Sequence, residues 1–148
     1  MSPVDHRQLG VDLFNQVWSL LETENRTAGQ NEEMVHAVHA SRYHWSQAED
    51  PNPSQRAAIG EWQISRVYSV LGRGEPALFH AKRCLKLATQ PGVEDWVEAS
   101  ACEGLARAAK TAGDMAAFED WTQKAIDATA KISEEEKREI VESDIATL

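Results

Sequence analysis

The densest group of residues able to do chemistry is Glu32-Glu33-x-x-His36-x-x-His39-x-x-x-Tyr43-His44. On a helix, residues 36, 39 and 43 share a face, so two imidazoles can meet a metal ion with Glu32 or Glu33 one turn earlier. The candidate metal set is therefore Glu33, His36, His39 and His44. A di-iron bundle site needs a second Glu-x-x-His and two further glutamates from facing helices. No second copy occurs in the chain, and the His-Glu-x-x-His arrangement of zinc proteases is absent. The expectation is therefore packing: ring nitrogens bonded to backbone or to a neighbouring helix, and stability that falls as the imidazoles are forced to protonate. There is no phosphate-binding Gly-rich loop after a strand and no Gly-x-Ser-x-Gly elbow. Neither catalysis nor a cofactor is expected.

Composition narrows the partner. The chain has 148 residues, enough for one domain, and its 42% hydrophobic and 26% charged fractions suit a core that needs no disulfide or metal. With 24 acidic against 15 basic residues the net charge is −9, which disfavours nucleic acid and anionic membrane surfaces. Cys84 and Cys102 form no Cys-x-x-Cys pair and sit at apolar helix positions, so both read as small buried hydrophobes. The start Met1-Ser2-Pro3-Val4-Asp5-His6 lacks a basic segment before an apolar core, and no apolar run is long enough to span a bilayer. A cytoplasmic protein is expected. Tryptophans at 18, 45, 62, 96 and 121 are spread along the chain, which suggests repeated anchoring rather than one aromatic site.

The elements that must position these residues are helices. Leu13, Phe14, Val17, Leu20 and Leu21 recur at helical spacing over about 5–24, and the polar stretch 25–30 breaks the pattern. A second helix runs over about 31–49, up to Pro51-Asn52-Pro53. Ser54 can cap a third helix, which Gly72-Arg73-Gly74 turns into a fourth over about 75–89, with Pro76 tolerated in its first turn. After Pro91-Gly92 a fifth helix spans about 93–111, and Gly113-Asp114 leads to a sixth that carries Phe118, Trp121, Ala125 and Ile132. Ser133-Glu134-Glu135-Glu136 reads as a capping box for a last helix over 134–147, whose Glu134-to-Glu139 charge run is a solvated face.

These pairs repeat. A shift of 41 residues lays His39-Ala40-Ser41-Arg42 on His80-Ala81-Lys82-Arg83, Gly72 on Gly113 and Arg83 on Lys124. One hairpin cannot bury its own apolar faces, whereas three stacked hairpins share a continuous core and need a polar cap. The expected hairpins cover about 5–49, 54–89 and 93–132. Under the same shift His36 and His44 fall opposite Ala77 and Leu85, which places them toward a hairpin interior.

Ile64-Ser65, Tyr68, Gly72, Ala77, Ala81 and Leu85 in the second hairpin, and Leu105-Ala106, Ala109, Gly113, Phe118, Ala125 and Ile126 in the third, resemble the tetratricopeptide repeat. The likeness covers about 54–132, with a period longer than the family's usual ~34 residues. It implies an all-α, right-handed α-α superhelix of three hairpins plus a C-terminal capping helix, forming a single domain. It also implies a function: an adaptor that binds a peptide or protein in a concave groove lined by the first helix of each hairpin. Those positions are Asp12, Asn15, Ser19 and Glu22, then Ile59, Trp62, Arg66 and Ser69, then Ser100, Glu103, Arg107 and Lys110. Three cations gathered beside Trp62 suit an acidic partner. The bland reading of the same positions is a solvated face with an intrahelical Glu103–Arg107 pair. A homo-oligomer is the further possibility, through Trp18 or Trp45 if the first hairpin leaves them uncovered.

Overall fold

The computed structural model describes residues 3–148; Met1 and Ser2, the first two positions of the N-terminal stretch discussed above, lie outside the described residues. The described chain is all-helical: α1 His6–Leu21, α2 Ala28–Gln47, α3 Pro53–Val70, α4 Gly74–Ala88, α5 Asp95–Thr111, α6 Met115–Ala130 and α7 Glu135–Ile145. No helix among the described residues is long and apolar enough to cross a membrane. Consecutive helices pair as α1 on α2, α3 on α4 and α5 on α6, while α3 and α5 also touch each other. The short α7 packs on both α5 and α6, as α5 packs on both α3 and α4.

The helix ends show which local signals were used. Thr27 accepts from Gln30 N at 3.1 Å while the Gln30 side chain reaches back to Thr27 N, so a capping box starts α2 inside the stretch read as a break. Asn52, not Ser54, caps α3: its Oδ1 accepts from Gln55 N at 3.1 Å, and Pro53 fills the first helical position. The expected capping box at Ser133 does not form. Ser133 N and Oγ donate instead to Asp95 Oδ2 at 3.2 and 3.3 Å, and α7 starts after Glu134 without a side-chain cap.

Two helix–helix turns that lie 41 residues apart share one backbone geometry. Gly72 and Gly113 hold φ of 74° and 81°, and the residue after each glycine closes the turn with the same backbone bond. Arg73 N donates to Tyr68 O at 2.9 Å, and Asp114 N donates to Ala109 O at 3.0 Å. Gly74 serves packing rather than conformation, because a Cβ there would lie 2.6 Å from the Ala112 Cα, where α4 meets the end of α5.

The main core joins Val17 and Leu20 of α1, Met34 and Val38 of α2, Ile64 and Val67 of α3, Ala77 and Ala81 of α4, and Leu105 of α5. Cys84 and Cys102 are buried free thiols, and burial raises both, Cys102 to about 11, so they behave as the apolar residues expected. A smaller cluster of Ala99, Ile132 and Val141 seats α7.

Candidate interaction groove

The α3 and α5 positions expected to form one surface do meet. Trp62 Nε1 lies 3.4 Å from Glu103 Oε2, Arg66 Nη2 lies 3.1 Å from Glu103 Oε1, and Arg107 Nε donates to the same oxygen at 2.9 Å. The Arg66 guanidinium also sits over the Trp62 ring at 5.2 Å. The two arginines are therefore not free groove cations. Glu103 is fully buried and takes both, because a carboxylate out of water must be paired and hydrogen-bonded. Arg66 also meets Asp144 of α7 at 3.3 Å, and Arg107 donates to Asp144 O at 3.1 Å and to Thr147 Oγ1 at 2.6 Å. Burial, and then the like charge of Glu103, push the Asp144 carboxyl above its ordinary value despite Arg66. Lys110 is exposed, has its ammonium over Phe118 at 5.4 Å, and lines a cleft of about 170 Å³ with Ser69, Arg107 and Thr147.

On α1 the helical phase is one residue away from expectation. Asp12, Asn15, Ser19 and Glu22 are all exposed and line no cleft with α3 and α5; Phe14 and Trp18 face that side instead. Two contacts set this phase: Gln63 Nε2 donates to Phe14 O at 3.1 Å, and the Trp18 and Trp62 rings meet at 5.7 Å. The outcome is an aromatic cleft of about 190 Å³ walled by Phe14 and Trp18 of α1, Ile59 and Trp62 of α3, Trp96 and Ser100 of α5, and Lys137, Ile140 and Asp144 of α7. It adjoins a trough of about 290 Å³ that shares Phe14, Ile59 and Trp96 and adds Val11, Trp45, Arg56 and Gly60. Gly10 makes room for this trough's Trp45, since a Cβ there would meet the indole at 2.9 Å. Four of the five tryptophans thus converge on one continuous surface, which corrects their reading as dispersed anchors. Linear spacing hid the convergence because each tryptophan comes from a different helix.

The histidine set does not come together. His36 is exposed beside Glu32 at 3.6 Å, and Glu33 accepts from Gln16 of α1 at 3.1 Å. His39 Nε2 lies 2.8 Å from the Tyr68 hydroxyl, and His44 Nδ1 lies 2.9 Å from His6 Nδ1. Among the described residues no three His, Cys, Asp or Glu side chains are grouped to hold a metal ion. The metal set Glu33, His36, His39 and His44 is dispersed: Glu33 and His44 turn to α1, His39 turns to α3, and His36 stays on the surface of α2 beside Glu32. His36 also departs from its expected interior position, as α2 turns Met34, Ala37 and Val38 inward instead.

What the sequence reading missed is Glu61. This α3 carboxylate is 2% exposed and gathers His80 Nδ1 at 2.6 Å, Arg83 Nε at 2.9 Å and Arg42 Nε at 3.4 Å. Burial raises its carboxyl, but hydrogen bonds from His80 and Arg83 outweigh that and hold it below the ordinary value. Tyr68 stacks on His80 at 5.8 Å and connects it to His39, whose pKa is lowered first by desolvation and then by His80. The signal was present in the repeat itself, since His39-x-x-Arg42 and His80-x-x-Arg83 are the two copies that flank Glu61.

No family model matches this chain, and no curated protein or solved structure matches it.

Proposed function

We propose that this chain is a non-catalytic interaction module of the tetratricopeptide type, three hairpins in a right-handed superhelix capped by α7, that works as a cytoplasmic adaptor. Its ligand is a peptide segment of a partner protein that places an aromatic or branched aliphatic side chain in the cleft between α1 and α7. The observation that carries this reading is the convergence of Trp18, Trp62 and Trp96 with Phe14, Ile59 and Ile140 around space that none of the chain's own side chains fills. Indole rings supply large contact area at low conformational cost, and apolar clefts between helices are where such anchors dock. An acidic flank on the ligand is favoured by Lys110 and Lys137, which line the clefts and, among the described residues, have no carboxylate within 4.0 Å. Arg66 and Arg107 contribute less than their sequence positions suggested, because Glu103 and Asp144 between them already hold both guanidiniums. Self-association through the first hairpin loses its anchor, since Trp18 and Trp45 are half-buried in the clefts rather than uncovered.

The test begins with capture and cross-link mapping of a partner, followed by synthesis of the mapped segment and titration by tryptophan fluorescence. Trp18→Ala and Ile140→Glu are expected to weaken its binding by about thirtyfold, or ~2 kcal/mol, without changing the helical circular-dichroism spectrum. A segment that binds both variants as tightly as the wild type would overturn the proposal. Light scattering of the free chain separates self-association from partner binding.

A further inference from the structure

We infer that α7 is a lid over the aromatic cleft, latched to α3 and α5 through Asp144 and Thr147, and that the partner's segment enters by lifting it. The inference rests on the interaction reading above and adds how the site is opened. α7 is 11 residues long, has no side-chain N-cap, and buries only Val141 fully. Its hydrogen bonds to the groove floor are confined to its far end, where Asp144 meets Arg66 and the Asp144 carbonyl and Thr147 hydroxyl accept from Arg107. Its near end is tied down differently: Ile132 is 2% exposed and Ser133 donates to Asp95, which places the pivot at Ser133–Glu134.

Two features make the latch releasable. Arg66 and Arg107 both stay paired with Glu103 when α7 lifts, so opening leaves no buried charge without a partner. Asp144 shares Arg66 with that same Glu103, a like charge that weakens its hold. The Arg66 Nε is moreover buried without a hydrogen-bond partner, so the guanidinium has a donor to spare for an incoming carboxylate. Lifting also takes Lys137 off the Trp96 ring, 4.7 Å away, and Ile140 off the cleft mouth, which widens the way into the existing cleft before α7 closes over the anchor.

The experiment is hydrogen exchange on the full chain, read at the amides of α7 and compared with those of α3 and α5. Asp144→Lys sets a cation against Arg66 and Arg107 and is expected to speed exchange in α7 by about tenfold or more, the equivalent of one lost charge-assisted hydrogen bond, with α3 and α5 unchanged. Asp144→Asn keeps the acceptor and removes the repulsion from Glu103, so it leaves α7 as protected as in the wild type. The apolar dye 1-anilinonaphthalene-8-sulfonate should bind more strongly to the Lys variant than to the Asn variant. Unchanged α7 exchange in Asp144→Lys, or faster exchange throughout α3 and α5, overturns the lid. A partner segment that still binds when α7 proves fixed would spare the interaction reading. An α7 that opens while no segment binds would remove that reading and leave the lid.

Discussion

Arg42 and Arg83, which superimpose under the 41-residue shift, approach the same atom: their Nε groups lie 3.4 and 2.9 Å from Glu61 Oε1. One arrives from α2 and the other from α4, with α3 between them. Two copies of a repeated His-x-x-Arg thus share one buried acid, and His80 closes the other carboxylate oxygen at 2.6 Å. Truncating that acid leaves Arg42 and His80 facing a desolvated hole, whereas the half-exposed Arg83 can turn to water. Glu61→Ala is expected to cost about 3–5 kcal/mol, the range for removing one partner of a buried ionic cluster. Glu61→Gln keeps one acceptor and should cost less. Urea denaturation with a shared slope measures both, and equal stability of Glu61→Ala and wild type would mean that the cluster contributes nothing net.

The same cluster predicts an acid-sensitive stability. His39 is exposed as a residue, but its ring lies against Tyr68 and His80, and its folded pKa falls below the ordinary 6.5, lowered first by desolvation of the ring and then by the charge of His80. A histidine lowered on folding contributes stability that is complete above 6.5 and is lost as pH falls through its folded value. Glu61, lowered from 4.5, adds a second loss further down, as pH falls through its own folded value. Asp144 has the opposite sign: raised above 3.8, it favours the folded state as it protonates and partly offsets the acid loss in the carboxylate range. The melting temperature should therefore decline between pH 7 and 5.5, before Asp144 matters, and His39→Gln should flatten that part of the profile. A level wild-type profile over this window defeats the assignment.

Fold class was legible because periodicity is a local property. The seven helices, their turns at Gly72 and Gly113, and the burial of Cys84 and Cys102 follow from spacing and from glycine's access to positive φ. Helix ends were less legible, since Ser54 and Ser133 compete with Asn52 and with a bond to Asp95 that joins residues far apart in sequence. The groove was legible as a face but not as a charge distribution. Helical phase brought Trp62, Arg66, Glu103 and Arg107 together, yet nothing local shows that Glu103 is buried or that Asp144 returns from the last helix to meet Arg66. The α1 phase slipped by one residue, from Asn15 to Phe14, because the Trp18–Trp62 contact that sets it spans two hairpins.

Charge reversal on the groove should therefore separate fold from binding, residue by residue. Arg107 is largely covered and bonds Glu103, Asp144 O and Thr147, so Arg107→Glu places a second carboxylate beside a fully buried one. A loss of about 3 kcal/mol or more is expected, with α7 released as well. Lys110 lies one turn further along α5, exposed, in the last helical turn and against Phe118, so Lys110→Glu should cost about 1 kcal/mol, from the helix dipole and the lost ring contact, far less than Arg107→Glu. Its main effect should show in binding: an acidic partner segment loses affinity for Lys110→Glu, and the loss shrinks as added salt screens the exposed charge. Thermal melts and titrations at two ionic strengths measure the two effects separately. A Lys110→Glu variant that unfolds, or an Arg107→Glu variant as stable as wild type, would place the buried centre of this surface on the wrong residue.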